Sequence, residues 1–161
     1  VPGETPGADG LPVFQFAQGA ATYRGFEVEA QATLVEGAVN LSVDGLLDAV
    51  EATIDGFGPA PRIPPLRFGG GVEARGATWG MRVEAERTTR QTRTTGFETA
   101  TAGFTLVNLS ADWKPWADRG LRLTLSAANL FDVEARRHAS FLKDYAPLSG
   151  RDIRLGLSAS F

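Results

Sequence analysis

Apolar and polar side chains alternate with a period of two along most of this chain, and no other feature constrains its fold as strongly. In the clearest segment Phe26 and Val28 lie on one side of an extended chain, whereas Glu27 and Glu29 lie on the other. Helical spacing is weak and confined to residues 46–50, where a short helical turn is the alternative. Because successive side chains of a strand point to opposite faces of its sheet, the sequence predicts an all-β protein with one apolar and one polar face.

The alternating pattern occurs in seven segments, and the connections between them also alternate in length. The predicted strands are residues 13–34, 38–50, 65–75, 77–90, 103–113, 119–128 and 151–161. Along the chain, their connections are short, long, short, long, short and long. An antiparallel meander with tight turns at one rim and long loops at the other gives this order, which is typical of outer-membrane barrels. We therefore predict an antiparallel transmembrane β-barrel segment.

Composition excludes several other classes of protein. The 161 residues include no Cys and a single His, which excludes a disulfide scaffold and thiolate zinc sites. Sixteen basic and 19 acidic side chains give a net charge of −3, so electrostatics does not favour a nucleic-acid partner. No stretch approaches the roughly 18 apolar residues of a membrane helix. Nothing marks a catalytic nucleophile, and we expect no enzyme activity, no metal site and no cofactor.

Aromatic residues are sorted toward the two rims of the predicted sheet. Trp79, Trp113, Trp116 and the C-terminal Phe161 lie at the short-turn rim, and Phe131 lies toward the other rim. Aromatic girdles flank the apolar band of a membrane barrel, so we predict that the three tryptophans belong to such a girdle. Two alternatives share the alternation: a soluble β-sandwich and a small self-closing outer-membrane barrel. Either would be a structural or interaction module without transport activity.

The charged residues of the polar face are interpreted as the lining of a barrel lumen. Its acidic pair and the basic residues expected to face it across strands are Glu84, Glu86, Arg67, Arg75, Arg82 and Arg122. The run Gly69–Gly71 precedes no helix and indicates strand bending or close approach. Asn129 interrupts the apolar face, which a bulge or the membrane interface would explain. Leu123 is expected to face lipid at mid-strand.

Three C-terminal motifs carry a resemblance to a known family. Residues 125–132 read Leu-Ser-Ala-Ala-Asn-Leu-Phe-Asp, residues 146–151 read Ala-Pro-Leu-Ser-Gly-Arg, and residues 153–161 alternate and end in Phe. They are similar to the penultimate strand, last loop and last strand of TonB-dependent outer-membrane receptors. Scattered similarity, as at residues 11–16 and 62–67, extends over nearly the whole chain. The resemblance implies a barrel of about 22 strands with a plugged lumen.

The same resemblance implies a location, a function and a set of partners. Residues 13–161 would be the C-terminal part of a barrel in the bacterial outer membrane, preceded by a Pro/Gly-rich loop at residues 1–12. The implied function is uptake of a scarce solute, a metal chelate or siderophore. The implied partners are upstream barrel strands and a plug domain of the same receptor, TonB through an N-terminal part outside these residues, the barrel-assembly machinery, and outer-membrane lipid. In this class a C-terminal aromatic residue, here Phe161, serves as the assembly signal.

The segment 133–150 is expected to be an extracellular loop that contacts the ligand. Its candidate contact residues are Arg136, Arg137, His138, Lys143 and Asp144. A cluster rich in basic side chains suits an anionic chelate better than a bare cation. His138 alone, with scattered carboxylates, does not make a metal site, and hydrogen bonding within the loop is its alternative role.

Overall fold

The computed structural model describes residue 10 and residues 18–116 and 120–160, and the strands in this part of the chain form one antiparallel sheet. The strands are β1 (Ala21–Val35), β2 (Val39–Ile54), β3 (Gly58–Pro59), β4 (Arg67–Gly76), β5 (Trp79–Thr88), β6 (Phe104–Trp113), β7 (Arg122–Ala128) and β8 (Asp152–Ser158). Neighbours follow the order β1-β2-β4-β5-β6-β7-β8, and the two-residue β3 pairs with the end of β2. No helix among the described residues is long and apolar enough to cross a membrane.

The seven long strands confirm the all-β prediction and the alternation of short and long connections. The bounds differ by a few residues: residues 18–20 are not in a strand, and residues 13–17 lie outside the described part of the chain. β2 runs without interruption through residues 46–50, so the alternative of a helical turn is wrong there. Leu46 pairs with Glu29 of β1 on one side and with Gly69 of β4 on the other. Two sets of ladder hydrogen bonds outweigh a weak local helical preference.

The sheet is single and open within the described residues. A β-sandwich needs a second sheet packed on the first, and all eight strands belong to one sheet. β1 and β8 lie at its two edges, and in the described ranges they do not pair with each other. In hydrocarbon each unpaired backbone group costs several kcal/mol, so an isolated open sheet could not persist in a membrane. We expect further strands to cover both edges.

The two faces of the sheet differ in exposure as well as in polarity. In β5, Met81 and Val83 on the apolar face are exposed, whereas Arg82 and Glu84 on the polar face are partly covered. Curvature produces this difference, because side chains crowd together on the concave face of a curved sheet and spread apart on the convex face. The polar face is therefore the concave, inner face, as in a water-filled barrel.

Continuous rows of apolar residues cross the outer face. One row runs through the middle of the sheet and consists of Val43, Val72, Val83, Leu109, Ala127 and Ile153. The row at the short-turn rim consists of Trp79, Trp113, Leu123 and Leu157. The mid-strand prediction for Leu123 is therefore wrong. β7 begins only at Arg122, so Leu123 lies at the start of its strand and at the level of the tryptophans.

The glycine run in β4 lets three strands approach one another closely, as the sequence predicted. A Cβ atom on Gly70 would collide with the carbonyl oxygen of Asp44 in β2. A Cβ atom on Gly69 would collide with the carbonyl oxygen of Ala85 in β5. Since backbone atoms at these positions cannot move aside without breaking the ladder, only glycine fits here.

Candidate functional site

The concave face carries a network of ion pairs that crosses several strands. Arg82 of β5 reaches across β4 to Asp44 of β2, with Nη1–Oδ1 at 2.5 Å and Nη2–Oδ2 at 3.0 Å. Its Nε also donates to Glu84 at 3.2 Å. Gly71 makes this reach possible, because it lies opposite both Asp44 and Glu84 and the guanidinium passes directly over it. A two-point pairing of this kind fixes the planar guanidinium.

A second arginine makes a similar bridge closer to the long loops. Arg67 of β4 donates from Nε to Asp48 of β2 at 2.6 Å and from Nη1 to Glu86 of β5 at 3.3 Å. The predicted facing across strands is thus confirmed for Arg67 and Glu86. Arg82 contacts Glu84 within β5, and its cross-strand partner is Asp44. The inner face therefore presents fixed charges of both signs, as expected of a surface along which a polar solute passes.

Arg75 and Arg122 lie in a third group of charges, close to the short-turn rim. Arg75 contacts Glu73 at 2.7 Å and approaches Asp112 at 3.8 Å, and Arg122 approaches Asp112 at 3.6 Å. Their carboxylate partners are Glu73 and Asp112, not the predicted pair Glu84 and Glu86. Glu73 lies two residues before Arg75 in β4. The registers of β4–β5 and β5–β6 bring Asp112 level with Arg75 through Gly80, and the β6–β7 register places Asp112 opposite Thr124, two residues from Arg122.

Asn129 connects the inner face to the longest loop. Its backbone N donates to Oδ1 of Asn108 at 2.9 Å, and Asn108 in turn donates to Glu84 at 2.9 Å. The Asn129 side chain accepts from the backbone N of Val133 at 2.9 Å and donates to the carbonyl oxygens of Val133 and Ser149, at 2.9 and 3.2 Å. The buried side chain thus holds both ends of the loop together.

The local conformation explains why asparagine occurs at this position. Asn129 and Asp132 have positive φ angles of 48° and 55°, a region that Asn and Asp tolerate better than most residues. Asp132 Oδ1 also accepts from the backbone N of Arg151 at 2.8 Å. β7 ends at Ala128, so Asn129 starts the turn and the interpretation of it as a strand bulge is wrong. Its position at the membrane interface stays a prediction.

A buried cluster joins the last two long loops, residues 89–103 and 129–151. His138 Nδ1 lies 3.0 Å from Thr101 Oγ1, and His138 Nε2 lies 3.2 Å from Glu98 Oε1. Lys143 Nζ contacts the same Glu98 oxygen at 3.2 Å and donates to the carbonyl oxygen of Thr99 at 2.6 Å. The side chains of His138, Lys143 and Glu98 are 0%, 6% and 7% exposed, respectively. Such burial makes this cluster a structural joint rather than an open ligand surface.

The first long loop, residues 55–66, is attached to the same cluster. The backbone N of Arg62 donates to Glu98 Oε1 at 2.9 Å. The Arg62 guanidinium stacks on Phe141, with Cζ 3.2 Å from the ring centroid, which is cation–π geometry. Residues from three loops that are far apart in the sequence therefore meet at one rim of the sheet.

The charge state of His138 follows from this packing. Burial, and then the positive charge of Lys143, lower the pKa of His138 below its ordinary value, against the opposing effects of Glu98 and Asp144. Lys143 Nζ lies 3.4 Å from His138 Nδ1. Because an ammonium group can only donate, Nδ1 must accept, and the proton of the neutral imidazole lies on Nε2. Nε2 is the atom that faces Glu98.

The five predicted ligand residues do not form one exposed group. His138 and Lys143 are buried in the joint. Arg136 donates to Glu134 at 2.8 Å and to the carbonyl oxygen of Lys143 at 2.6 Å, and Asp144 accepts from Thr99 at 2.5 Å. Arg137 is exposed, and its side chain has no partner within the described part of the chain. The alternative role for His138, hydrogen bonding within the loop, is observed in its contact with Lys143 at 3.4 Å, and a second partner, Thr101 at 3.0 Å, lies on the neighbouring loop.

Large apolar side chains project from the same loops into solvent. They are Phe97 (65% exposed), Phe141 (77%), Leu142 (59%) and Tyr145 (85%). Within residues 18–116 and 120–160, no group of three or more His, Asp or Glu side chains could hold a metal ion. Sequence reasoning missed Glu98 and Thr101, because they lie in a loop without periodicity. The only available signal was that Glu98 is an isolated acid in a basic, threonine-rich segment.

The predicted girdle and assembly residues lie at the short-turn rim as far as they are described. Trp79 and Trp113 are cross-strand partners on the outer face and are 38% and 51% exposed. Trp116 is 52% exposed and lies in the turn that follows β6. Phe161 lies outside the described residues. Two stacked levels, aromatic at the rim and aliphatic above it, match the outer surface of a membrane barrel.

Comparison with known proteins decides the family. A family model described as TonB dependent receptor-like, beta-barrel, matches residues 2–130. The chain belongs to this family. The family that the sequence resemblance indicated is therefore confirmed. TonB-dependent receptors are outer-membrane proteins of Gram-negative bacteria rather than enzymes.

A solved structure shares the fold. It is the copper transporter OprC, with a TM-score of 0.70 and 22% sequence identity, and the match covers 88% of this chain and 24% of that chain. The chain thus spans about a quarter of the length of that protein. No curated protein sequence matches it.

Proposed function

We propose that this chain forms the C-terminal part of the wall of a TonB-dependent outer-membrane receptor that takes up a scarce solute, a metal chelate or siderophore. One observation carries the proposal: in a chain of this family, three long loops join at one rim, above a concave face lined with fixed charges. A transport barrel needs these two features, an outer surface that captures solute and a polar wall along which the solute moves. The fold neighbour OprC is named a copper transporter, which makes a metal-containing solute the first class to test.

The solute-contacting surface is proposed to consist of the exposed side chains that the buried joint holds in place. Arg137 supplies a free positive charge, and Phe141 and Tyr145 supply exposed aromatic rings on the same loop. Aromatic and guanidinium groups together suit a large, anionic chelate. In this proposal His138 and Lys143 position the loop and do not touch the solute.

The remaining partners follow from the receptor as a whole. Upstream strands would cover the two sheet edges, a plug domain would face the charged inner wall, and TonB would act on a part outside these residues. Phe161 would be the signal recognised by the barrel-assembly machinery. Trp79, Trp113 and Trp116 would lie in the aromatic girdle at the short-turn rim. An exposed C-terminal strand is a suitable template for pairing with an assembly factor.

Uptake of radiolabelled metal chelates by cells with and without the receptor tests the proposal. Arg137→Glu reverses the free loop charge, and we expect it to lower uptake of an anionic chelate by about tenfold or more, because like charges then meet at the capture surface. Lys114→Glu makes the same charge reversal at the opposite rim and should leave uptake unchanged. Equal uptake of every chelate in both strains, or equal losses in both variants, would overturn the proposal.

A further inference from the structure

A line of hydrogen bonds leads from the inner wall of the sheet to the base of the longest loop. It starts at Glu84, whose Oε2 accepts from Arg82 at 3.2 Å and whose Oε1 accepts from Asn108 at 2.9 Å. Asn108 Oδ1 in turn accepts from the backbone N of Asn129 at 2.9 Å. The Asn129 side chain then exchanges two hydrogen bonds with the backbone of Val133, both at 2.9 Å. The line therefore joins β5, β6 and the start of the loop.

The amide group of Asn108 can satisfy both of its neighbours in one orientation only. The carboxylate of Glu84 can only accept a hydrogen bond, and the backbone N–H of Asn129 can only donate one. Asn108 must therefore turn its NH2 group toward Glu84 and its oxygen toward Asn129. In the reversed orientation an NH2 group would face an N–H group, and both contacts would be lost. The hold of Asn108 on the loop thus requires an acceptor at residue 84.

The two ends of this line differ in their accessibility from the lumen. The side chain of Glu84 is 44% exposed on the concave face, whereas Asn129 is 4% exposed. A positively charged group in the lumen can therefore reach Glu84 but not the base of the loop. Such a group would displace Asn108 rather than Arg82, because a guanidinium binds a carboxylate more strongly than a neutral amide does and Asp44 holds this guanidinium through two further contacts.

We propose that Asn108 is a positioning residue for the loop 133–150, and that its hold on the loop depends on the carboxylate of Glu84 on the inner wall. A positively charged group that binds Glu84 from the lumen would thus loosen the base of the loop. Coupling between two sites is reciprocal, so a loop held closed would also keep Glu84 engaged with Asn108. The inference rests on the proposed function only for the task of this loop, which is solute capture.

The variant Glu84→Gln in the purified full-length receptor tests this coupling. Glutamine has one acceptor oxygen, whereas Arg82 and Asn108 both donate to residue 84, so one of the two contacts must be lost. We expect loss of the Asn108 contact, because the guanidinium is the stronger donor. Backbone hydrogen exchange in residues 129–133 should then become about fivefold faster, the effect of losing one hydrogen bond.

A matched control and a second variant separate this coupling from a general loss of charge. Glu86→Gln makes the same change two residues away on the same face of β5, where the carboxylate pairs with an arginine of β4. It should leave exchange in residues 129–133 unchanged. Asn108→Ala removes the link itself and should accelerate exchange as Glu84→Gln does. Adding Glu84→Gln to Asn108→Ala should have no further effect.

Three outcomes would overturn the inference. The first is unchanged exchange in Glu84→Gln, and the second is equal acceleration by Glu86→Gln, which would indicate a general effect of wall charge. The third is the same acceleration by Glu84→Gln with and without Asn108→Ala, which would show that the effect bypasses residue 108. Each variant is first checked for folding by its resistance to heat on a gel. Because no solute is present in the exchange measurement, failure of solute uptake leaves this result unaffected.

Discussion

Asn129 and His138 are single buried residues that hold parts of the long loops together where no strand pairing does so. Asn129 is 4% exposed and holds the base of the longest loop through backbone groups of Val133 and Ser149. His138 is 2% exposed and holds the middle of that loop against the neighbouring loop through a hydrogen bond with Thr101 at 3.0 Å. Buried polar side chains are stable only when their hydrogen bonds are made, so single residues set the positions of both loops.

The lowered pKa of His138 predicts that the joint weakens in acid. When the loops separate, the pKa of His138 returns toward about 6.5. Between the lowered pKa and about 6.5, the separated state therefore binds more protons, and the packed state loses stability as the pH falls. Above that range the imidazole is neutral in both states and has no effect on packing.

Backbone hydrogen exchange in residues 97–101 and 138–145, corrected for the intrinsic pH dependence, measures this effect. We expect protection to fall by at most about tenfold for each pH unit below about 6.5. The variant His138→Asn has no titrating group at this position, so its protection should not change over the same range. The same pH dependence in this variant would assign the effect to Glu98, Lys143 or Asp144 instead.

At the scale of one element, the glycines of β4 affect both the spacing of the neighbouring strands and the contacts on the inner face. Its glycine run lets β2 and β5 approach closely, and at Gly71 it also leaves room for Arg82 to reach Asp44 over the inner face. A side chain at residue 71 would push Arg82 of β5 away from Asp44 of β2, because the contact between them passes over β4. The glycine is thus required by a contact between its neighbours rather than by its own conformation.

Gly71→Ala should therefore displace Arg82 from Asp44. We expect the free energy of unfolding to fall by about 0.5–1 kcal/mol, because the flexible end of Arg82 can move aside and the cost is the lost, partly exposed ion pair with Asp44. Gly45→Ala is the control, since its Cβ would lie 3.6 Å from the nearest atom, the carbonyl oxygen of Gly69. Urea unfolding measures both variants. In an Asp44→Asn background Gly71→Ala should cost less, because the displaced contact is already lost. Equal costs in both backgrounds would refute this explanation.

For the whole molecule, the depth of an outward-facing residue in the membrane determines the free-energy cost of placing a charge there. The row that contains Val83 crosses the middle of the sheet, and the row that contains Leu123 lies with Trp79 and Trp113 at the rim. The two side chains are similarly exposed, at 40% and 38%. They differ in their distance from the membrane interface and therefore form a matched pair.

Val83→Arg should cost about 2–4 kcal/mol in a bilayer, and Leu123→Arg should cost about 0–1 kcal/mol, because the penalty for arginine falls from the midplane to the interface. The free energy of unfolding from lipid vesicles measures both values. Similar, small costs for the two variants would show that this face does not contact lipid. A larger cost for Leu123→Arg would show that the middle row is not at the midplane.

The sequence alone determined the features that depend on neighbouring residues. A period of two specifies which side chains share a face, and short turns specify which strands pair. The seven long strands, the apolar outer face, and the facing of Arg67 with Glu86 across strands could therefore be predicted. The depth of Leu123 could not, because it depends on where β7 begins, and turn residues have no periodicity that marks a strand end.

The tertiary structure alone decided how the long loops are joined. Glu98 and His138 lie in different loops, and no spacing rule connects an acid in one loop with a histidine in the next. Their contact exists because the meander returns every second connection to the same rim, where buried charges must find partners. The sheet order is encoded by local alternation, whereas the partners of His138 are set by loop packing, which has no repeating pattern along the chain.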